Sequence, residues 1–128
     1  MEKARILLVE DEPNIVESLS FILGRAGFDV DTVSDGAEAL DRVRRQSFSA
    51  LVLDIMLPGM NGLDLLKAIR ADHALAILPV MLLTAKGQAS DRRAAEAIGA
   101  DVFVTKPYAN ADVVDAVRRL LGDNDRTA

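Results

Sequence analysis

Four polar stations stand at the ends of apolar runs, and they carry the chemistry this chain can offer. Arg5-Ile6-Leu7-Leu8-Val9 ends in Glu10-Asp11-Glu12, and Ala50-Leu51-Val52-Leu53 ends in Asp54. Pro79-Val80-Met81-Leu82-Leu83 ends in Thr84, and Val102-Phe103-Val104 leads through Thr105 to Lys106. Clustered carboxylates repel one another unless a cation sits among them. With no Cys and a single His in the chain, the available ligands are hard oxygens, which favour Mg²⁺. A lysine and a hydroxyl beside a metal-bound carboxylate are the parts of phosphoryl transfer, where catalysis is positioning plus neutralisation of the equatorial oxygens. Asp54 is then the nucleophile, giving an aspartyl phosphate, while Lys106, Thr84 and Mg²⁺ each take one phosphoryl oxygen.

Each residue taken alone has a plainer reading. Glu12 is equally an N-cap of the following helix, Thr84 a cap, and Lys106 a solvated cation. Their coincidence at successive strand ends carries the functional reading. Pro107 follows Lys106 at once, so Lys106–Pro107 is a candidate cis peptide in a tight turn that would fix the direction of the lysine. His73 is expected at the surface near a helix end, without a role.

The elements that must position these groups follow from periodicity. The first, third and fourth runs are continuously apolar, as central strands covered on both faces are. Phe28-Asp29-Val30-Asp31-Thr32-Val33 alternates with charge and reads as an edge strand. Helical spacing joins Ile15, Leu19, Ile22 and Ala26; then Ala37, Leu40 and Val43 after an Asp35-Gly36 turn; then Leu63, Leu66 and Ile69, capped by Asn61. It also joins Val113, Val114, Val117, Leu120 and Leu121, closed by Gly122. Residues 89–98 are rich in Ala, with Arg92, Arg93 and Glu96, so a helix there has a thin apolar face and weak anchorage. Five strand–helix alternations predict an α/β fold with a parallel sheet and helices on both sides. In such a sheet the four polar stations share the carboxyl edge, where ligands bind.

Composition narrows the partners. The chain has 128 residues, enough for one domain, and 15 Lys and Arg against 20 Asp and Glu give a net charge of −5. That balance argues against wrapping nucleic acid or anionic lipid. No apolar run approaches a membrane span, and the N-terminus lacks a signal-peptide pattern, so a cytoplasmic location is expected. Residues 1–122 are expected to form one domain, with 123–128 a polar tail or the start of a linker.

Taken together, the motifs resemble the receiver domains of two-component response regulators. The matching segments are Leu7-Leu8-Val9-Glu10-Asp11-Glu12-Pro13, Leu53-Asp54-Ile55-Met56-Leu57-Pro58-Gly59-Met60-Asn61-Gly62, Leu83-Thr84-Ala85, Gly99-Ala100-Asp101 and Thr105-Lys106-Pro107-Tyr108. The resemblance implies a flavodoxin-like (βα)5 doubly wound parallel sheet of strand order 2-1-3-4-5. It implies that Asp54 takes a phosphoryl group from a sensor histidine kinase or a histidine phosphotransfer protein. It further implies that Asp11, Asp54 and the Met56 backbone carbonyl bind Mg²⁺, that Glu10 holds a coordinated water, and that Thr84 and Lys106 read the phosphoryl group. Phe103 occupies the position of the switch aromatic that turns inward when Thr84 moves. By the same resemblance Ala85, a small residue after Thr84, would leave the phosphoryl group reachable by donors and by water. The output surface would be the fourth helix, fifth strand and fifth helix, which would meet a downstream effector.

Departures from the family pattern are also informative. Phe103 lacks the hydroxyl of the tyrosine common there. Arg92 with Asp112, and the charges Asp101 and Arg118, fit the charged pairs through which the winged-helix branch dimerises, whereas Ala97 and Ala116 stand where that branch carries charge. A monomer or a weak phosphorylation-dependent dimer is expected, with no direct nucleic-acid binding by this chain. A haloacid-dehalogenase-type phosphatase would want a second Asp where Met56 stands. A flavodoxin would want hydroxyls and glycine where Glu10-Asp11-Glu12-Pro13 stands. The remaining alternatives are a phosphate-independent receiver-like binding module and the N-terminal receiver of a longer transcription factor or hybrid kinase. The expected activity is self-catalysed phosphotransfer and slow autodephosphorylation, not turnover of a separate substrate.

Overall fold

Continuous apolar runs in this chain become strands because each is covered on both faces. The computed structural model describes residues 3–84, 89–106 and 108–122, with backbone alone at 89–91. Along the chain come β1 (Arg5–Val9), α1 (Pro13–Arg25), β2 (Asp29–Val33), α2 (Gly36–Arg45), β3 (Ala50–Asp54), α3 (Gly62–Ala71), β4 (Val80–Thr84), α4 (Ala89–Ile98), β5 (Val102–Thr105) and α5 (Asn110–Leu120). The strands form one sheet in the order β2-β1-β3-β4-β5. Every neighbouring pair is parallel, with Leu7 opposite Leu51, Leu53 opposite Leu82, and Thr84 opposite Thr105. The alternating run is indeed an edge strand, β2.

Two cores flank the sheet. Leu7, Val9, Leu51, Leu53, Val80 and Leu82 pack with α2, α3 and Ala95 of α4 on one side. Ile6, Leu8, Ala50, Val52, Met81 and Leu83 pack with α1 and α5 on the other. Side chains alternate across a strand, so adjacent residues of one run feed opposite cores.

The helix faces differ in detail from those the spacing suggests. In α1 the fully buried residues are Leu19 and Leu23, while Ile15, Ile22 and Ala26 are half-buried. In α2 the buried stripe is Gly36, Ala39 and Val43, and Ala37 is exposed. Asp35 and Gly36 do not form a separate turn: Asp35 is the N-cap of α2, accepting a 2.7 Å hydrogen bond from the Glu38 N–H, and Gly36 is its first residue. In α3, Leu65 joins Leu66 and Ile69 in the core, while Leu63 is half-buried. The Asn61 cap is present, its side chain accepting from the Asp64 N–H at 2.9 Å. In α5, Ala116 is fully buried with Val113 and Val117, so it lies against the sheet and not on an outward face where a charge could stand. Ala97 is exposed, as an outward position requires.

α4 spans the predicted residues and is thinly anchored. Ala95 is its one fully buried side chain among the described residues, with Ile98 half-buried and Arg92, Arg93, Ala94 and Glu96 exposed. Its C-terminal end is held from α3 instead. The Arg70 guanidinium donates to the carbonyls of Gly99 (3.0 Å), Leu78 (2.7 Å) and Ala76 (3.2 Å), and pairs with Asp101 at 2.9 Å.

Candidate functional site: an acidic pocket at the β1–β3 junction

A doubly wound sheet opens a crevice where its strand order reverses, at the carboxyl ends of the strands on either side. Here that point lies between β1 and β3. Glu10 and Asp11 follow β1, and Asp54 closes β3, so the topology brings the carboxylates together. One oxygen from each of Glu10, Asp11 and Asp54 lies within 4.8 Å of the others, the cluster among the described residues able to hold a metal ion. Glu12 stands outside it. It is exposed at the N-cap position of α1, and its carbonyl accepts from the Ile15 and Val16 N–H groups.

Asp54 is 3% exposed, and its two oxygens have different partners. Oδ1 accepts from the Met56 N–H at 3.0 Å, and Oδ2 accepts from Lys106 Nζ at 2.8 Å. The loop that presents Met56 is folded tightly against the strand end. The Gly62 N–H donates to the Ile55 carbonyl at 2.8 Å, and a Cβ at Gly62 would sit 2.6 Å from the Asp54 carbonyl oxygen. Only glycine permits that approach. Lys106 is aimed from the other side, its N–H extending the ladder to the Thr84 carbonyl at 2.7 Å.

Glu10 is 1% exposed. Its Oε2 accepts from the Glu12 N–H at 3.1 Å. Its buried Oε1 has no hydrogen-bond partner among the described residues and lies 4.0 Å from Lys106 Nζ. Burial, reinforced by the neighbouring Asp54 carboxylate, raises its pKa to about 7 against the opposing pull of the Glu12 N–H and Lys106. Burial also pulls the Lys106 pKa down, but Asp54 and Glu10 outweigh it and the net shift is upward. Burial raises the Tyr108 pKa as well. The pocket therefore holds three carboxylates against one ammonium, with one carboxylate oxygen buried and unsatisfied.

Two of the expected residues stand apart from this cluster. Thr84 is 3% exposed, and its hydroxyl donates to the Thr105 hydroxyl at 3.4 Å, across the β4–β5 pair. Phe103 is half-buried on β5, with the Arg92 guanidinium carbon 4.9 Å from its ring centroid. Thr105 and this ring contact are not apparent from sequence spacing, because each pairing is made across elements. Asp101 is engaged within the chain by Arg70 and by the Val80 N–H at 2.9 Å. His73 is exposed. Ala85, Pro107 with the Lys106–Pro107 bond, and the tail 123–128 lie outside the described residues. No helix among the described residues is long and apolar enough to cross a membrane.

An acidic crevice at the switch point of a five-stranded doubly wound sheet, with a lysine just after the last strand, defines a class of α/β signalling modules. Comparison with known proteins agrees. The family model for the response regulator receiver domain matches residues 6–118. TcrX of Mycobacterium tuberculosis, by name a transcriptional regulatory protein, is 43% identical over 116 residues, which cover 91% of this chain and 49% of that protein. The DNA-binding response regulator MtrA of Mycolicibacterium smegmatis is 39% identical over 123 residues, covering 96% of this chain and 53% of MtrA. A response regulator from Chloroflexus aurantiacus superposes with a TM-score of 0.91 at 31% identity, covering 94% of this chain and 99% of that one. The chain belongs to the receiver domain family of two-component response regulators. It spans about half the length of the curated relatives it matches.

Proposed function

We propose that this receiver is a Mg²⁺-dependent phosphoacceptor, with Asp54 taking a phosphoryl group from a phosphohistidine on a sensor kinase or histidine phosphotransfer protein. The observation that carries the reading is the buried Asp54 carboxylate, bonded to Lys106 at 2.8 Å and flanked by Glu10 and Asp11. A carboxylate oxygen of Asp54 forms the O–P bond as the N–P bond of phosphohistidine breaks, and the electron pair leaves with the imidazole nitrogen. The Met56 N–H holds the carboxylate in orientation throughout. Lys106 shifts from the carboxylate to a phosphoryl oxygen, and Thr84 turns its hydroxyl from Thr105 to another. Water attacking phosphorus reverses the modification slowly.

The donor set fits a hard divalent cation, since it is all oxygen and leaves Glu10 Oε1 buried without a partner. Asp11, Asp54 and the Met56 carbonyl would hold it, with Glu10 bonded to a coordinated water. When bound, Mg²⁺ neutralises the charge on the carboxylates and the incoming phosphoryl oxygen. Thr84 and Phe103 then transmit the change to the face formed by α4, β5 and α5, where a downstream effector docks. The domain is proposed to span residues 1–122 and to work in the cytoplasm. A second reading, that the chain is the receiver of a longer transcription factor, is favoured by its half-length coverage of relatives named as transcriptional and DNA-binding regulators.

The test is intact mass after acetyl phosphate treatment of wild type and Asp54→Asn, with Mg²⁺ and with EDTA. One added phosphoryl group in the wild type alone, and only with Mg²⁺, is expected. Equal labelling of Asp54→Asn would overturn the site, and no adduct even from a phosphohistidine donor would favour a phosphate-independent binding module.

A further inference from the structure

Phe103 has no hydroxyl, so its orientation is set by packing and by whatever meets its ring faces. It pairs with Leu82 across the sheet and packs partly against the core beneath α2, α3 and α4. Two residues on, Thr105 projects from the same face of β5 and receives the Thr84 hydroxyl. The ring therefore stands one step along the strand from the hydroxyl pair that phosphorylation would break. Above it lies Arg92 of α4, its guanidinium carbon 4.9 Å from the ring centroid, within the range of a cation–π contact. Among the described residues Arg92 has no carboxylate partner, so the ring is the contact that orients its head group.

The contact matters because α4 has few others. Arg70 pins the end of the helix through the Gly99 carbonyl, and Ala95 is its one fully buried side chain among the described residues. Arg92, near the start of α4, faces Phe103 directly. A ring that turned further inward would leave the guanidinium without its partner and would remove the contact by which Arg92 joins α4 to β5.

We propose that Arg92 is a positioning residue of the switch. Its guanidinium holds the Phe103 ring in the half-buried arrangement of this structure and lowers the population of a more inward one before phosphorylation. This rests on the phosphoacceptor reading above and adds to it the group that sets the resting balance. A cation–π contact at an exposed site corresponds to about a two- to fivefold bias between two states. Where the inward state is the one that accepts phosphate, favouring it beforehand enlarges the competent fraction and so favours phosphoryl uptake.

The experiment uses 19F NMR of the domain carrying 4-fluorophenylalanine at its four Phe positions, with the Phe103 resonance assigned by Phe103→Leu. Acetyl phosphate with Mg²⁺ defines the position of the switched state in the wild type. Arg92→Met keeps an apolar stem over the ring but removes the charge, and Arg92→Lys keeps a cation. In the unphosphorylated domain Arg92→Met is expected to move the Phe103 balance about two- to fivefold toward the switched position. Acetyl phosphate labelling should be faster than in the wild type, and Arg92→Lys should stay near wild type. In a Phe103→Leu background, Arg92→Met should leave the labelling rate unchanged. A Phe103 balance that Arg92→Met does not move, in a wild type that does switch, overturns the latch alone. A wild type whose Phe103 signal ignores phosphorylation overturns the switch reading, and the latch with it.

Discussion

Asp54 and Glu10 carry the strongest consequences at the scale of single residues, because both are buried acids in a pocket with one ammonium. Glu10 has a folded-state pKa raised to about 7 from an ordinary 4.5, so it favours the folded state only while protonated. Its contribution is complete below about pH 4.5 and is lost as pH rises through about 7. In EDTA, the stability of Glu10→Gln relative to wild type should therefore grow across that window, on the order of 1–3 kcal/mol, and level off above it. Thermal melts of both proteins from pH 4 to pH 8 check this, and a constant difference would refute it. Gly62 is the second sensitive position. A Cβ there would lie 2.6 Å from the Asp54 carbonyl oxygen and 2.7 Å from Ile55 Cα, both backbone atoms that cannot step aside cheaply. Gly62→Ala is expected to cost about 1–3 kcal/mol in urea denaturation, as overpacking does. It should also slow phosphoryl uptake, because the loop carrying the Met56 N–H must move.

At the scale of elements, the informative contrast is between α3 and α4. α3 buries Leu65, Leu66 and Ile69 fully, whereas α4 so buries Ala95 alone among the described residues. The Arg70 guanidinium, 16% exposed, substitutes for missing packing by tying α3, the segment before β4 and the end of α4 into one network. Arg70→Met would leave the Gly99 and Leu78 carbonyls and the Asp101 carboxylate without that donor. A loss of about 2–4 kcal/mol is expected, with poor rescue by Lys, which lacks the planar fork. Urea denaturation measures the first effect. Hydrogen exchange should show the α4 amides opening more readily than those of α3 in the wild type, and more readily still in the variant. Equal protection of the two helices would contradict the thin anchorage.

For the whole molecule, the parallel sheet collects its carboxylates at one edge of a chain that already carries a net charge of −5. A cation bound there would relieve repulsion that the fold otherwise has to tolerate, which would link metal and fold. Mg²⁺ at about 100 times its dissociation constant should stabilise the domain by about 2.7 kcal/mol, and EDTA should reverse the gain. Asp11→Asn and Asp54→Asn should weaken or abolish that response. Thermal melts with and without Mg²⁺ decide it, and an unchanged gain in both variants would place the cation elsewhere. Phosphorylation would then act on the same scale. On the proposed reading it would not build a new fold but would shift the balance between two packings of Thr84, Phe103 and α4.

What the chain determines by itself is its strands and the types of residue that end them. A strand buried on both faces needs an unbroken apolar run, and a carboxyl edge that binds anions and cations needs polar residues where the runs stop. Glu10, Asp11, Asp54, Thr84 and Lys106 are legible for that reason. The helix faces are only half legible. Ala37 and Ala39 are equally apolar, and which of them is covered depends on how α2 lies on the sheet, not on α2. Leu23 and Ala116 were buried, and Asp101 and Arg92 engaged, by partners that spacing does not reveal. Lys106 meets Asp54 from 52 residues away, and Arg70 meets Asp101 from 31. A charged residue read alone is a solvated one. Only the packing of β1, β3, β4 and β5 side by side removes the water and decides which charges must answer each other.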